Sequence, residues 1–282
     1  MLTIISTPIG NLGDITYRAV QSLEKADIIA CEDTRQTRKL LSLAAIQTTA
    51  DLWAYHDHNG AKVRPKLLQA LSSGQNIALV SDAGTPLISD PGYKQVAACH
   101  EQNIQVTAAP GPCAPIMALT LSGLPSDRFT FQGFIPQKQK AARAIFSESR
   151  SLPMTQIWFE TPKRLVASLT LMAEILGDRQ AVVARELTKM HETLHRGCLS
   201  DLVAFFSTNG APKGELVLVV DGADKDSQTM SLEEVAAQLE QSIQKTSLRD
   251  AVREAELLSG LPRNQIYKLA LQIEAAADKE TS

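Results

Sequence analysis

A long loop in the first third of the sequence constrains the fold of this chain more than any other segment. It covers residues 81–92 and follows residues 76–80, a short apolar run with β-branched side chains. The spacing of Tyr93, Val96 and Ala97 behind it is typical of a helix, so we predict a strand, a loop and a helix in succession. Such loops form ligand crevices at the carboxyl ends of strands in α/β sheets. Its two glycines, two prolines and two carboxylates leave a ligand unobstructed, although an ordinary turn also fits the pattern.

Loops of the same kind follow three other predicted strands, which cover residues 2–6, 27–31 and 104–108. Helical patterns separate the strands, and this alternation favours a parallel sheet with helical crossovers. Because the carboxyl ends of parallel strands lie at one edge of a sheet, we expect the four loops to cluster there.

The order of elements divides the chain into three parts. We predict an N-terminal α/β domain at residues 1–122, a second α/β domain at 123–222, and a linker with a helical extension at 223–282. The extension resembles a helix-turn-helix pair around residues 260–262, and it carries seven Lys or Arg against eleven Asp or Glu. An acidic segment is a poor reader of nucleic acid by itself, which favours a packing or dimer-stabilising role over contact with RNA.

The composition is that of a globular protein. The chain has 282 residues, and 44% of them are hydrophobic, which is ample for a buried core. Its four cysteines lack C-x-x-C spacing, which argues against a disulfide framework or a zinc ribbon. The N-terminus has no signal-peptide pattern and no apolar run is long enough to cross a bilayer, so we expect a cytoplasmic protein without a membrane partner.

The charge balance limits how the chain can contact nucleic acid. The formal net charge is -3, so any such contact must come from a local basic patch. Residues 136–151 contain the basic side chains Lys138, Lys140 and Arg143. We interpret this segment either as a basic loop or short helix that faces a polyanion, or as a solvated helix face.

Several familiar motifs are absent or occur in the wrong setting. No two of the 15 glycines have G-x-G spacing and no G-K-[ST] occurs, which excludes the G-x-G-x-x-G dinucleotide loop, the glycine motif of ordinary Rossmann methyltransferases, and the P-loop. Residues 191–195 read H-E-x-x-H, a zinc motif when helical, but their flanks suit an extended segment. The pair His56 and His58 lacks a third ligand nearby, so we predict no metal site.

Seven short motifs occur in a fixed order along the chain. They are T-P-I-G-N-L at residues 7–12, E-D-T-R at 32–35, H-D-H-N at 56–59, the segment 80–93, P-G-P-C at 110–113, G-L-P-S-D-R-F at 123–129 and R-E-L-T-K at 185–189. This series resembles the motifs of the ribosomal RNA small subunit methyltransferase I family, within the tetrapyrrole methylase superfamily. The resemblance covers residues 1 to about 220, and the tail more weakly resembles the helical extension of that family.

The resemblance implies a fold, a cofactor and a reaction. The fold is two α/β domains that bind S-adenosylmethionine in the cleft between them, with a small C-terminal helical extension. The reaction is methylation of the ribose 2′-oxygen of a cytidine in the decoding region of 16S rRNA, with the 30S subunit as the expected substrate. A homodimer is also implied, whereas a DNA partner is not.

The resemblance also places the cofactor contacts, position by position. A backbone-lined cleft suits this ligand, because main-chain groups can bind adenine and the amino acid without a phosphate cradle. The G-G-D-P loop of the superfamily is replaced here by D-A-G-T at residues 82–85, which leaves the partner of each cofactor group open. The expected contacts, with Gly214 and Glu215 as weaker candidates, are Pro8, Ile9, Asp82, Ala83, Gly84, Thr85, Leu87, Cys113, Ala114, Phe159, Glu160 and Leu187.

Methyl transfer to a ribose hydroxyl requires an in-line approach and benefits from a base that removes the proton. We predict Glu32, Asp33 and Asp57 as base or ribose orienter, although Asp33 would alternatively cap the helix that begins at Thr34. The RNA backbone is expected to contact a set of cationic or titratable residues, namely Arg35, His56, His58, Lys138, Lys140, Arg143 and Arg164.

Two other functions fit parts of the pattern. Enzymes of this superfamily also methylate small tetrapyrroles or the modified histidine of an elongation factor, and the basic segment at residues 136–151 favours RNA over these substrates. A nucleic-acid-binding regulator acting through the C-terminal helices is the second alternative, and the acidic balance of those helices argues against it.

Overall fold

The computed structural model describes residues 1–210, 212–224, 232–243, 246–259 and 263–280. The chain forms two compact units, one of residues 1–146 and 155–221 and one of residues 147–154 and 222–282. The first unit contains two five-stranded sheets, and the C-terminal helices belong to the second unit. None of the described helices has the length and apolarity needed to cross a membrane.

The first sheet is entirely parallel, as the alternation of strands and helices predicts. Its strands lie in the order β3-β2-β4-β1-β5, and the flanking helices are crossovers. All residues of β2 and β4 are buried because both faces of the sheet are covered by helices. The elements are β1 (Leu2–Ile5), α1 (Tyr17–Glu24), β2 (Ile28–Cys31), α2 (Thr34–Leu43), β3 (Asp51–Ala54), α3 (Gly60–Ser72), β4 (Ile77–Val80), α4 (Tyr93–Glu101), β5 (Val106–Ala109) and α5 (Ala114–Ser122).

The register of this sheet brings the ends of its central strands side by side. Val80, the last residue of β4, pairs with Ile5 of β1 and with Cys31 of β2. Ala109 at the end of β5 pairs with the same Ile5. The loops that leave these strands therefore begin at one edge of the sheet, as the sequence predicts.

The second sheet is mixed, with the order β6-β7-β10-β8-β9. Strands β6 and β7 are parallel, and the remaining pairs are antiparallel. One face packs on two helices through Leu165, Leu169 and Leu202, and the opposite face packs on α5 through Ala118 and Leu119. The elements are β6 (Phe129–Phe134), α6 (Gln139–Ser149), β7 (Thr155–Glu160), α7 (Leu165–Leu176), β8 (Gln180–Arg185), β9 (Thr193–Cys198), α8 (Leu199–Asn209) and β10 (Leu216–Val220).

The C-terminal extension contains the three predicted helices, α9 (Leu232–Ile243), α10 (Leu248–Ser259) and α11 (Arg263–Glu280). They share a core of their own, in which Leu239, Val252 and Ile266 are fully buried or nearly so. The predicted turn at residues 260–262 lies outside the described residues.

Candidate active site

Hydrogen bonds join three of the predicted loops at the carboxyl edge of the first sheet. Thr7 and Gly84 exchange two backbone bonds, with N–H to O distances of 2.9 and 3.0 Å. The Thr85 hydroxyl donates to the carbonyl of Pro112 at 2.8 Å and lies 2.9 Å from the hydroxyl of Ser6. The predicted clustering of the loops after β1, β4 and β5 is therefore confirmed.

The loop at residues 81–92 is held in a strained conformation. Leu87 and Ser89 have φ values of 75° and 66°, a left-handed region that costs most side chains free energy. Gly92 has φ 136°, and a Cβ there would lie 2.9 Å from side-chain atoms of Leu79 and Leu87. Such conformations persist only where surrounding contacts enforce them, and they are concentrated at functional sites. We therefore expect this loop to keep one fixed conformation.

A cavity of about 360 Å³, here called the donor cavity, lies between this edge and the second sheet. Its volume is that of a small-molecule site. Eight of the residues predicted to contact the cofactor line it, namely Ile9, Ala83, Gly84, Thr85, Cys113, Ala114, Phe159 and Glu160. The two weaker candidates, Gly214 and Glu215, line it as well.

Four residues predicted to contact the cofactor do not line the cavity, namely Pro8, Asp82, Leu87 and Leu187. Leu187 is 6% exposed and packs with Ile9 in the core beneath the second sheet. Leu87 packs against the core of the first sheet, and the Asp82 carboxylate accepts a hydrogen bond from the backbone N–H of Asp33 at 3.1 Å. Pro8 precedes Ile9 in the same loop without lining the cavity itself. The structure thus gives Leu187 and Leu87 packing roles, and gives Asp82 a hydrogen bond to the loop after β2.

Other lining residues were not predicted. Phe134 follows a shift of register between β6 and β7, and its ring centroid lies 5.1 Å from that of Phe159. Asp90 belongs to the loop at residues 81–92, and a carboxylate in that loop was the signal available in the sequence. The full additional set is Ile88, Ser89, Asp90, Pro115, Phe134, Thr161, Pro162, Leu216 and Val217.

The charged side chains that line the donor cavity are all acidic among the described residues: Asp90, Glu160 and Glu215. Glu160 and Glu215 are neutralised locally, since the Arg164 guanidinium lies 2.6 Å from the Glu160 carboxylate and Lys189 Nζ lies 3.2 Å from that of Glu215. Acidic and apolar walls suit a cationic ligand, such as a sulfonium with an ammonium group, and disfavour a phosphate cofactor.

The carboxylate of Asp33 is committed to helix α2. It accepts the backbone N–H of Arg35 at 2.8 Å as the N-cap and pairs with the guanidinium of the same residue at 2.6 Å. These hydrogen bonds lower the pKa of Asp33 to about 2. A carboxylate of such low pKa is a weak proton acceptor, so the capping alternative describes this residue better than the catalytic one.

The neighbouring carboxylates have the opposite tendency. Burial, together with the charges of Asp82 and Asp57, raises the pKa of Glu32. Burial also raises the pKa of Asp82. The largest change is at Asp90, where burial and the charge of Glu32 raise the pKa to about 6. A base with a pKa near the working pH is well matched to proton abstraction.

The predicted RNA contacts differ in their freedom to bind. Lys138, Lys140 and His58 are exposed, and Lys140 lies on α6, so the basic segment is largely helical. Arg143 donates two hydrogen bonds of 2.8 Å to Glu174. Arg164 pairs with the buried Glu160 and also donates to the carbonyl of Ile135 at 3.0 Å, so both arginines have acidic partners within the protein.

The H-E-x-x-H segment has the extended form that its flanks predict. His191 lies in a turn and His195 in strand β9, where its ring centroid is 4.8 Å from that of Phe205. The spacing of four residues brings two imidazoles together only on a helix, so the segment does not have the geometry of the zinc motif.

Comparisons with known proteins identify the class and then the relatives. A family model described as Tetrapyrrole (Corrin/Porphyrin) Methylases matches residues 1–203. A solved uroporphyrin-III C-methyl transferase from Thermus thermophilus, complexed with S-adenyl homocysteine, shares the fold with a TM-score of 0.53 at 14% identity, covering 78% of this chain and 96% of that one.

Closer sequence relatives have the name Ribosomal RNA small subunit methyltransferase I. The protein from Synechocystis sp. is 46% identical over 98% of this chain and 99% of its own, and the one from Escherichia coli O157:H7 is 44% identical over 96% and 94%. The chain belongs to the tetrapyrrole methylase family and, within it, to the ribosomal RNA small subunit methyltransferase I family. It is a methyltransferase.

Proposed function

We propose that this enzyme methylates the ribose 2′-oxygen of a cytidine in the decoding region of 16S rRNA. The observation that carries the proposal is an acidic donor cavity beside Asp90, in a chain 46% identical to a Ribosomal RNA small subunit methyltransferase I. A cationic methyl donor fits the cavity, and a carboxylate of raised pKa fits the weakly acidic ribose hydroxyl.

The residues that hold the donor are those of the cavity. Apolar walls come from Phe134, Phe159 and Ile9. Gly84 leaves space in the cavity, because a Cβ there would lie only 3.1 Å from Ile9. Asp90 provides the negative charge, because Glu160 is paired with Arg164 and Glu215 with Lys189. When bound, S-adenosylmethionine supplies an electrophilic methyl group, and the protein supplies position and charge.

The predicted catalytic carboxylates Glu32, Asp33 and Asp57 have supporting roles in this proposal. Asp90, which was not among them, accepts the proton of the acceptor hydroxyl, because it lines the donor cavity and has a pKa of about 6. Glu32 acts through Asp90, since its negative charge raises the proton affinity of that neighbour. Asp57 orients the ribose, and Asp33 positions Arg35, whose side chain is 86% exposed and can reach a phosphate.

The exposed cations Lys138 and Lys140, with His58 and Arg35, bind the RNA backbone in this proposal. Replacing both lysines with Gln is expected to reduce the slope of log Kd against log salt concentration by roughly 0.7 per lost phosphate contact. Lys25→Gln is the matched control, because Lys25 is exposed at the far end of α1, beside the opposite edge of the first sheet. Equal slopes for the lysine pair variant and the control would contradict this part of the proposal.

The decisive experiment is methyl transfer to 30S subunits from a strain that lacks the modification, followed by nucleoside mass spectrometry. We expect one 2′-O-methylcytidine per subunit, with calorimetric binding of S-adenosylmethionine in the same preparation. Cofactor binding without RNA methylation would redirect the assignment to a tetrapyrrole or protein substrate. Naked 16S rRNA in a parallel reaction tests whether the assembled subunit is required.

The proposal extends to a cytoplasmic homodimer, which the family resemblance implies. Light scattering at micromolar concentration measures the mass directly, and a mass near twice 30.6 kDa is expected. A monomer that is fully active would remove the dimer from the proposal and leave the reaction intact.

A further inference from the structure

A second cavity is lined in part by Asp90, which also lines the donor cavity. Its volume is about 350 Å³, and we call it the acceptor cavity. The two cavities therefore meet at Asp90. The remaining lining residues are Tyr55, His56, Asp57, Gly60, Ala61, Arg64, Pro91, Gly92, Tyr93 and Lys94.

The charges of the acceptor cavity differ from those of the donor cavity. Arg64 and Lys94 line it together with the two carboxylates Asp57 and Asp90. A site with cations at one part and carboxylates at another suits a ligand that has both anionic groups and hydroxyl groups.

Two helices begin at this cavity. Gly60 and Ala61 open α3, and Tyr93 and Lys94 open α4. The first N–H groups of a helix have no intrahelical acceptor. Here the Gly60 N–H donates to the carbonyl of His56 at 2.8 Å, whereas no N-cap side chain accepts from the N–H groups of Ala61, Tyr93 or Lys94. Two converging helix N-termini favour an anion such as a phosphate group.

Two buried polar atoms of the lining residues lack a hydrogen-bond partner within the described residues. They are Nδ1 of His56 and Nε of Arg64. Both atoms have almost no accessible surface, so they are covered by protein and the polar groups that face the cavity are other atoms of the lining residues.

An aromatic side chain stands at the rim. Tyr93 lines the cavity and is 66% exposed, although exposed large apolar groups are costly in water. Aromatic side chains stack on the unpaired bases of single-stranded RNA. The position of Tyr93 fits that use.

We propose that the acceptor cavity binds the target nucleotide of the RNA substrate, extruded from its neighbours. Arg64, Lys94 and the N-termini of α3 and α4 hold its phosphate, Tyr93 stacks on its base, and Asp57 orients the ribose. The acceptor hydroxyl then meets Asp90 where the two cavities meet. This inference rests on the proposed function, because it names the place where the substrate of that reaction lies.

The test compares Arg64→Gln, Tyr93→Ala and Lys94→Gln with a control on the same helix, Lys66→Gln. Lys66 is exposed on α3 and does not line the acceptor cavity. Steady-state methylation of 30S subunits gives kcat/KM, and calorimetry gives the Kd for S-adenosylmethionine. We expect kcat/KM to fall at least 30-fold in the Arg64 variant and about tenfold in the others, with the cofactor Kd within twofold of wild type.

The conservative variant Arg64→Lys separates charge from fork geometry. A lysine retains the charge but lacks the planar donor set, so we expect partial recovery of kcat/KM relative to Arg64→Gln. Retained cofactor binding also shows that each variant is folded.

Wild-type activity on 30S subunits combined with unchanged kcat/KM in all three variants would overturn the acceptor cavity and leave the proposed function standing. A loss equal to that of Lys66→Gln would overturn it as well. Wild-type enzyme that binds the cofactor and leaves the 30S subunit unmethylated would instead overturn the proposed function.

Discussion

The two cavities that share Asp90 are nearly equal in volume, at about 360 and 350 Å³, and opposite in chemistry. The donor cavity has acidic and apolar walls, whereas the acceptor cavity combines Arg64 and Lys94 with carboxylates and two helix N-termini. One loop supplies walls to both. Under the proposed assignments, this contrast in charge would separate a cationic donor from a polyanionic acceptor in the two cavities beside Asp90.

Removing the shared carboxylate should have the largest effect. In Asp90→Asn we expect kcat to fall about 10³-fold, within the range for loss of a general base. The Kd for S-adenosylmethionine should change by less than threefold, since the apolar walls of the donor cavity are unchanged. Single-turnover methylation of 30S subunits measures the first quantity and calorimetry the second. Near-normal kcat would show that another group accepts the proton.

A change confined to the donor cavity should lower cofactor affinity and leave RNA affinity unchanged. Gly84 has φ 82°, and a Cβ added there would lie 3.1 Å from Ile9. Gly84→Ala therefore adds backbone strain and side-chain volume at the cavity. We expect cofactor affinity to fall about tenfold, because strain of 1–2 kcal/mol has that magnitude. Gly74→Ala is the control, with φ 93° and no heavy atom within 4 Å of the added Cβ. RNA affinity, measured by filter binding, should stay constant in both variants. An equal loss of cofactor affinity in Gly74→Ala would show that backbone strain alone causes the effect.

Glu32→Gln should change the pKa of Asp90 and leave its carboxylate in place. The charge of Glu32 raises the pKa of Asp90, so its loss should lower that pKa and move the acidic limb of the kcat profile to lower pH. The groups around the pair are Asp82, Asp57, His56 and Asp33. We expect a fall in kcat of less than tenfold at neutral pH. An acidic limb that stays in place would separate Glu32 from the proton transfer.

The smallest expected effect concerns stability. The pKa of Asp90 in the folded protein, about 6, exceeds its ordinary value of 3.8. Its contribution is therefore complete below pH 3.8 and is lost as the pH rises through 6. Asp90→Asn should consequently raise the free energy of unfolding at pH 7 by about 1 kcal/mol, less than the full shift implies because solvent screens part of the charge. Urea unfolding at pH 7 and pH 4 measures it, and equal variant-minus-wild-type differences at both pH values would contradict this account.

The sequence was sufficient for most of the architecture. Strands such as residues 76–80 contain β-branched and apolar side chains in short runs, and the helical spacing between them predicted the parallel sheet. The carboxyl-edge clustering followed from topology alone, because parallel strands end together. The H-E-x-x-H segment was also correctly predicted as extended, because its flanking residues lack a helical stripe.

The site was less accessible from sequence because charge partners are chosen in three dimensions. Arg164 was predicted to contact RNA, and the structure shows it beside Glu160, the buried last residue of β7. Asp90 was visible as part of a loop, but its pKa depends on burial and on Glu32, 58 positions earlier. Arg64 and Lys94 gave no motif at all, since only the packing of α3 beside α4 brings them to one cavity.

The left-handed residues of the loop at 81–92 limit which substitutions this protein can tolerate there. Leu87 and Ser89, at φ 75° and 66°, tolerate exchange to Asn or Gly far better than to Val or Ile, whose branched Cβ clashes in that conformation. Random substitution should therefore reveal two codons, separated by one, at which β-branched replacements are lost. At Ser89 backbone shape alone sets this limit, whereas at Leu87 the side chain also packs against the core of the first sheet, so apolar packing limits the replacements as well.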